Sequence, residues 1–206
     1  MSLPDYWSQA TRELAACDNV LSKLAARYGG LALGSRGDAF STLARAIVGQ
    51  QISVKAAQSV WDRLVAEIES VTPDNLAAAD VARLRTCGLS GQKCAYLSDL
   101  TQQFASGALD PLRWTELDDE ALITELTQVK GIGRWTAEMF LIFHMARPDV
   151  LPLDDIGLQR AMSLHYNGGR PVSKLKMRRI AKPWAPWRSV ATWYLWRSLD
   201  PLPVEY

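Results

Sequence analysis

Residues 129–155 combine two features that could bind or act on a ligand: a glycine-rich turn and a pair of carboxylates. Their sequence is VKGIGRWTAEMFLIFHMARPDVLPLDD. Gly131 and Gly133 permit a tight turn whose backbone N–H groups face outward, which is a seat for a phosphate group. Asp154 and Asp155 follow at the start of another predicted helix, about one helix length further along the chain. Each carboxylate could act on a bound substrate or cap that helix, and spacing alone does not choose between them.

The segment between these groups predicts a buried helix that supports both. Within residues 135–144 the strongly polar side chains are few, namely Thr136, Glu138 and His144. A helix that is apolar on most faces belongs in the core of a domain. Pro148 ends this helix. The phosphate seat and the carboxylates are therefore expected on one rigid support.

The rest of the chain predicts helices and no strands. Apolar residues recur at four-residue spacing, as at Ala56, Val60, Leu64 and Ile68, and no segment alternates with the period of a strand. Glycines and prolines divide the chain into about ten short helices, the first of them amphipathic and covering residues 4–28. The predicted fold class is all-α.

The composition bounds the class of protein. At 206 residues and 48% hydrophobic content, the chain is long enough to form a stable buried core without disulfide bonds. Its three cysteines, Cys17, Cys87 and Cys94, are scattered and odd in number, which favours a reducing compartment over a disulfide framework. They also cannot supply the four ligands of an iron–sulfur cluster. The chain shows no membrane-spanning run and no signal-peptide pattern, so a soluble intracellular protein is expected.

The charges are unevenly distributed, although the net charge is only +1. From Ile156 onward there are nine Lys or Arg residues against Asp200 and Glu205, whereas six acidic residues gather between positions 110 and 125. This pattern predicts one basic and one acidic face. For any single Lys or Arg, a solvated helix surface is the better interpretation.

The ordered set of motifs resembles the helix-hairpin-helix (HhH-GPD) DNA glycosylase superfamily, and within it the alkylpurine branch of the DNA-3-methyladenine glycosylase II type. The likeness is carried by the hairpin GIGRWTA, the apolar helix, the LPLDD approach and the later KPWAPWRS segment. A lone GxG would be weak evidence, because many loops carry one by chance. The similarity runs from about Phe40 to Leu199.

The resemblance implies a fold of two helical lobes with a cleft between them. Lobe one would cover about residues 35–115, and lobe two about 116–206 together with the N-terminal helix. The extra N-terminal β domain of some relatives is not expected in this chain, and neither is their iron–sulfur cluster.

The resemblance also implies the catalytic group, with Asp155 as the matching carboxylate and Asp154 as its rival. As a glycosidic bond loosens, positive charge develops on the sugar, and a nearby carboxylate stabilises it while orienting the attacking water. Trp135 stands where strand-cutting relatives carry a nucleophilic lysine, so excision without strand cleavage is expected.

Trp135 and Trp196 match aromatic residues that line the base pocket of the alkylpurine branch. A purine alkylated at N3 or N7 is cationic, and a cation over an indole face gains ~0.5 to 2 kcal/mol. Most of the eight tryptophans are nevertheless expected to be core residues, because tryptophan buries a large area in any protein. Trp187 in particular is interpreted as structural.

The hairpin, residues 129–134, is implied to anchor DNA through phosphate contacts that read no base sequence. The contacts are expected from four consecutive residues: Gly131, Ile132, Gly133 and Arg134. Hairpins of this family often hold a monovalent cation on backbone carbonyls, which requires no side-chain ligand. A metal site made by side chains is not expected, since His144 and His165 are isolated.

A second DNA contact is implied at the plug turn, which we define as Gln50, Gln51 and Ile52. It lies between helices predicted over residues 40–48 and 53–68, and in the family this turn enters the gap beside the displaced nucleotide. Gln51 stands where a better-known alkylpurine enzyme has a leucine, which leaves the identity of the plug open. On sequence alone, an ordinary inter-helix turn facing water is an equally good interpretation.

These expectations converge on a monomeric, monofunctional DNA glycosylase without a cofactor. It would flip alkylated purines such as 3-methyladenine and 7-methylguanine out of double-stranded DNA and excise them by hydrolysis, leaving an abasic site for base excision repair. It would act at the nucleoid of a bacterium or in a eukaryotic nucleus. The alternatives are excision of hypoxanthine, etheno adducts or uracil by the same fold, and a non-catalytic helix-hairpin-helix DNA-binding module. The Asp pair and the tryptophan-rich C-terminus favour the enzyme, because a phosphate binder needs neither.

Overall fold

The computed structural model describes residues 4–29 and 37–199, and every regular element within those ranges is a helix. The described residues form twelve α-helices and one short 3-10 helix, Lys182–Trp184. The α-helices are α1 Trp7–Cys17, α2 Asn19–Tyr28, α3 Ala39–Gly49, α4 Val54–Ile68, α5 Pro73–Ala78, α6 Val81–Thr86, α7 Gly91–Ala105, α8 Asp119–Leu126, α9 Arg134–Phe143, α10 Ile156–Tyr166, α11 Lys174–Ile180 and α12 Arg188–Leu199. The all-α prediction is confirmed.

The single first helix predicted over residues 4–28 is wrong, because the structure divides it at Asp18. This residue has extended backbone angles, φ −144° and ψ 116°, and its carboxylate accepts hydrogen bonds from the N–H groups of Val20 and Leu21. A side chain that satisfies the first N–H groups of a helix starts a new helix there. Similar side-chain caps begin most of the later helices, among them Asp38, Ser53, Thr72, Ser90, Asp118 and Ser173.

Two compact units divide the chain. The middle unit contains residues 36–140, and the terminal unit contains residues 1–35 and 141–206. The division falls within α9. The lobe bounds implied by the resemblance, about 35–115 and 116–206, stay a prediction. Within the middle unit, the buried Trp114 ring lies edge-on to Phe104 at 6.1 Å and to Phe140 of α9 at 5.4 Å.

The middle unit is built around α7, which packs against α3, α5 and α6. Its core continues the aromatic row, with Phe40 of α3 edge-on to Phe104 at 5.1 Å. The cysteines Cys87 and Cys94 are buried there, and burial raises the pKa of both thiols. They therefore behave as small apolar core groups rather than as reactive thiolates.

The terminal unit is built around α12, which packs against α2 and α10. Asp18 links these layers, because it also accepts hydrogen bonds from the Tyr166 hydroxyl and from Trp184 Nε1, each at 3.0 Å. Burial beside this carboxylate raises the pKa of Tyr166. Trp187 stacks on Tyr6 at 5.7 Å, in keeping with a structural role. Among the described residues, no helix is long and apolar enough to cross a membrane.

Candidate functional site

Asp155 is the buried carboxylate of the predicted pair, and it caps α10. The residue is 7% exposed, and its Oδ1 accepts hydrogen bonds from the Leu158 N–H at 2.6 Å and from Trp196 Nε1 at 2.7 Å. Gly157 permits this approach, because a methyl group there would lie 3.1 Å from Oδ1 and 3.2 Å from the indole. Two N–H donors, one of them at the start of α10, thus hold the carboxylate in place.

Asp154 has a different environment, although it is the adjacent residue. Its side chain is exposed and forms an ion pair with Lys174 at the start of α11. The sequence could not distinguish the two aspartates, whereas the structure gives only Asp155 a buried position against an aromatic residue. In Asp155 the helix donor and the indole donor share one oxygen, Oδ1.

Trp196 forms an aromatic wall beside this carboxylate. Its ring stacks on Phe143 with 5.7 Å between centroids and an interplanar angle of 9°. Phe143, at the end of α9, was not singled out from the sequence, where it reads as one more apolar residue of a buried helix. Trp135 belongs to the middle unit and is 39% exposed in the first turn of α9. Its place in a base pocket with Trp196 stays a prediction.

The hairpin presents one open backbone position, at Gly133. Its carbonyl accepts the first helical hydrogen bond of α9, from Ala137 N–H at 3.0 Å. The residue is exposed, and an added methyl group would meet nothing within 4 Å. The first N–H groups of a helix lack intrahelical partners and carry the positive end of its dipole. The backbone at Gly133 and the first turn of α9 is therefore open to an anion, and phosphate binding there stays a prediction.

Ile132 contributes less to that seat than the sequence suggested. Its side chain is buried, and its N–H donates to the Val129 carbonyl at 3.0 Å. Gly131 has φ +86°, and a methyl group on it would lie 2.2 Å from the Tyr96 ring. Gly131 thus shapes the turn by allowing its backbone to lie close to the Tyr96 ring.

Arg134 is held by acidic side chains of its own unit. Its guanidinium pairs with both oxygens of Glu120 and, through Nε at 3.0 Å, with Glu138 of the same helix. These contacts raise the pKa of Arg134 and lower the pKa of Glu120. The Glu120 side chain is exposed. Arg134 can therefore contact a phosphate only if it gives up its ion pair with Glu120.

The three residues of the plug turn have different environments in the structure. Gln50 turns back, and its Nε2 donates to the Gly131 carbonyl at 2.8 Å. Gln51 is exposed and has φ +59°, a left-handed conformation that costs a non-glycine residue about 1–2 kcal/mol. Ile52 is 39% exposed. Strain and exposed apolar surface at neighbouring positions are typical of a functional turn.

Side chains in the described ranges form no cluster of three or more His, Cys, Asp or Glu that could hold a metal ion. The monovalent cation implied by the resemblance would instead use hairpin carbonyls. Those of Val129 and Gly131 each accept one hydrogen bond. A carbonyl oxygen has two lone pairs, so the hairpin is compatible with such an ion.

The chain is similar to known DNA repair proteins. Residues 44–186 match a family model described as the HhH-GPD superfamily base excision DNA repair protein. The chain is 34% identical over 163 residues to DNA-3-methyladenine glycosylase 1 of Schizosaccharomyces pombe, covering 77% of this chain and 72% of that protein. It is 33% identical over 190 residues to DNA-3-methyladenine glycosylase 2 of Escherichia coli, covering 87% of this chain and 64% of that protein.

Solved structures of 3-methyladenine DNA glycosylases share the fold of this chain. The crystal structure of DNA-3-methyladenine glycosidase from Bacillus halodurans matches with a TM-score of 0.89 and 32% identity, covering 97% of this chain and 93% of that one. The 3-methyladenine DNA glycosylase of Schizosaccharomyces pombe in complex with abasic DNA matches with a TM-score of 0.79 and 29% identity, covering 95% and 100%.

Proposed function

We propose that this chain, which belongs to the HhH-GPD superfamily of base excision DNA repair proteins, is a monofunctional DNA glycosylase that hydrolytically removes alkylated purines such as 3-methyladenine. The observation that carries the proposal is the buried Asp155 carboxylate, hydrogen-bonded to Trp196 at 2.7 Å. A module that only binds phosphate needs neither group. One chain carries both the hairpin and this carboxylate, so the proposal includes action as a monomer on double-stranded DNA.

The proposed reaction breaks the bond between C1′ of the sugar and the purine nitrogen. The bonding electrons leave with the base and neutralise its positive charge, so no general acid has to protonate the leaving group. Positive charge that develops on the sugar is stabilised by Asp155, and a water oxygen then bonds to C1′. The water proton passes to the carboxylate, leaving an abasic sugar and a free, neutral purine.

The aromatic residues provide selectivity in this proposal. A cationic purine is attracted to indole faces, here those of Trp196 and Trp135, more strongly than a neutral base. Flipping also costs a few kcal/mol, and less where damage has weakened pairing. Hypoxanthine, etheno adducts and uracil are neutral and would need protonation help for departure.

Base release from a panel of lesion-bearing duplexes tests the proposed substrate. We expect purified protein to release 3-methyladenine and 7-methylguanine from methylated DNA, with little release of hypoxanthine, ethenoadenine or uracil. Chromatography of the freed bases provides the measurement. Preferential release of a neutral base would replace the alkylpurine assignment, and release of no base at all would favour a DNA-binding module.

Monofunctional chemistry is tested by borohydride trapping, because Trp135 has no amine that could attack the sugar. We expect no covalent protein–DNA complex after borohydride treatment, and product strands that break only when heated with alkali. A glycosylase with a nucleophilic lysine, run in parallel, shows that trapping works. A trapped band with this protein would mean that another amine, such as Lys130, performs the attack.

Substitution of Gln51 separates backbone strain from gap filling. Gln51→Gly relieves the left-handed backbone, so its stability should equal or exceed the wild type by up to about 1 kcal/mol. Gln51→Ala keeps the strain. Both variants lose the side chain and should excise about tenfold more slowly if Gln51 props open the gap, since flipping costs a few kcal/mol. Urea unfolding and single-turnover excision measure these effects, and wild-type excision by both variants would exclude Gln51 as the plug.

A further inference from the structure

One side of α7 contacts both segments of the middle unit that the proposed function assigns to DNA. Lys93, Tyr96 and Asp99 follow at three-residue spacing and therefore lie along the same side of the helix. Each reaches backbone groups that are distant in sequence, either at the end of α3 or in the hairpin. Helix α7 itself carries no residue singled out from the sequence for function.

Lys93 holds the base of the plug turn. Its ammonium donates to the Val48 carbonyl at 2.7 Å. Val48 belongs to the last turn of α3, where carbonyl groups lack intrahelical donors and a positive charge is favourable. Partial burial of the ammonium lowers the pKa of Lys93.

Tyr96 and Asp99 hold the hairpin. Asp99 Oδ2 accepts the Lys130 backbone N–H at 2.9 Å, and Oδ1 lies 3.3 Å from the Lys130 ammonium. The Tyr96 ring lies directly against Gly131, closely enough that even a methyl group there would overlap it. The hairpin backbone is thus fixed in position on α7.

Gln50 joins the two segments directly through its 2.8 Å hydrogen bond to the Gly131 carbonyl. Its neighbours Gln51 and Ile52 are exposed. The hydrogen bond directs the Gln50 side chain to the hairpin, so this residue does not have the orientation expected of a plug. Instead, it fixes the distance between the exposed tip of the turn and the hairpin.

We propose that Gln50 and Lys93 are positioning residues that lock the plug turn to the phosphate-binding hairpin. Binding of the DNA backbone by the hairpin and insertion of the plug turn into the gap then occur together, because the two segments move as one unit. The inference rests on the proposed function. A segment that is already ordered loses less conformational entropy on binding than one that must be ordered by DNA. Loss of the lock should therefore affect insertion into the gap more than general affinity for DNA.

Two pairs of variants test this. Gln50→Met keeps the length of the side chain and removes the donor, while Lys93→Met is compared with Lys93→Arg, which retains a charged donor. Gln102→Met is the matched control for Gln50→Met, because it makes the same substitution at an exposed glutamine of α7. The substrate is a duplex with 7-methylguanine beside 2-aminopurine, whose fluorescence rises when its neighbour leaves the stack.

We expect Gln50→Met and Lys93→Met to lower the rate of the fluorescence rise and the single-turnover excision rate by about tenfold, in line with the loss of one partly buried hydrogen bond. Their Kd for undamaged duplex should stay within about threefold of wild type, since the seat at Gly133 is unchanged. Lys93→Arg should recover most of the rate. A double variant should lose less than the product of the single effects, because both residues act on one unit.

The inference is overturned if the rates fall only in proportion to the affinity for undamaged duplex, or if Lys93→Arg behaves like Lys93→Met. Hydrogen exchange without DNA gives an independent readout. The Ile132 amide, bonded within the hairpin, should exchange faster in Gln50→Met than in Gln102→Met, and equal rates would refute the lock. Should wild-type protein release no base, the proposed function fails while this exchange result still decides the inference.

Discussion

Replacement of Asp155 by asparagine is expected to lower the single-turnover rate of methylpurine release by about a thousandfold, the upper range for loss of one electrostatic stabiliser. Asparagine keeps an oxygen that can accept the hydrogen bonds from Leu158 and Trp196, and it is as good a helix cap as aspartate. The neutral amide cannot stabilise the charge on the sugar or take the water proton. Release of labelled base with enzyme in excess measures the rate, and thermal unfolding verifies the fold.

Asp154→Asn provides the matched control for this prediction. Its carboxylate is exposed, and its ion pair with Lys174 is of the surface type, which contributes little to stability. Excision by this variant should remain within about threefold of wild type. If Asp155→Asn were as active as the wild-type enzyme, the catalytic assignment would be wrong. If Asp154→Asn alone lost activity, the role would pass to Asp154.

The second large effect is expected at Gly131, where alanine should lower the free energy of unfolding by about 2–4 kcal/mol. The positive φ of +86° disfavours any side chain, and the added methyl group would lie 2.2 Å from Cδ2 and 2.6 Å from Cγ of Tyr96. Because Cγ is close to the backbone, the whole ring would have to move. Urea unfolding measures the loss.

Gly133→Ala is the control in the same hairpin, since a methyl group there meets nothing within 4 Å. Its stability should stay within about 1 kcal/mol of wild type. It should, however, bind undamaged duplex more weakly, because the methyl group stands where a phosphate would approach the backbone. Tyr96→Ala should partly restore the stability of Gly131→Ala. A Gly131→Ala protein as stable as wild type would show that the hairpin does not depend on this contact.

Much of the architecture is determined locally, and the sequence predicted that part. Ser53 and Ser173 cap the helices that follow them, and such a cap is local because it acts on N–H groups within one turn. The helical class follows from apolar spacing, and the phosphate-seat turn follows from its glycines. The division at Asp18 is also a local effect. It was missed because the amphipathic pattern continues through residues 4–28 and predicts one helix, whereas the Asp18 cap starts a second one.

Only the tertiary structure decided which side chains meet across long stretches of sequence. Asp155 and Trp196 are 41 positions apart, and Gln50 and Gly131 are 81 apart. No periodicity encodes such pairs, because they depend on how separate helices pack, whereas periodicity reports only which face of one helix is buried. For the same reason the sequence could name two adjacent aspartates but could not say which would be buried against an indole and which would face a lysine in solvent.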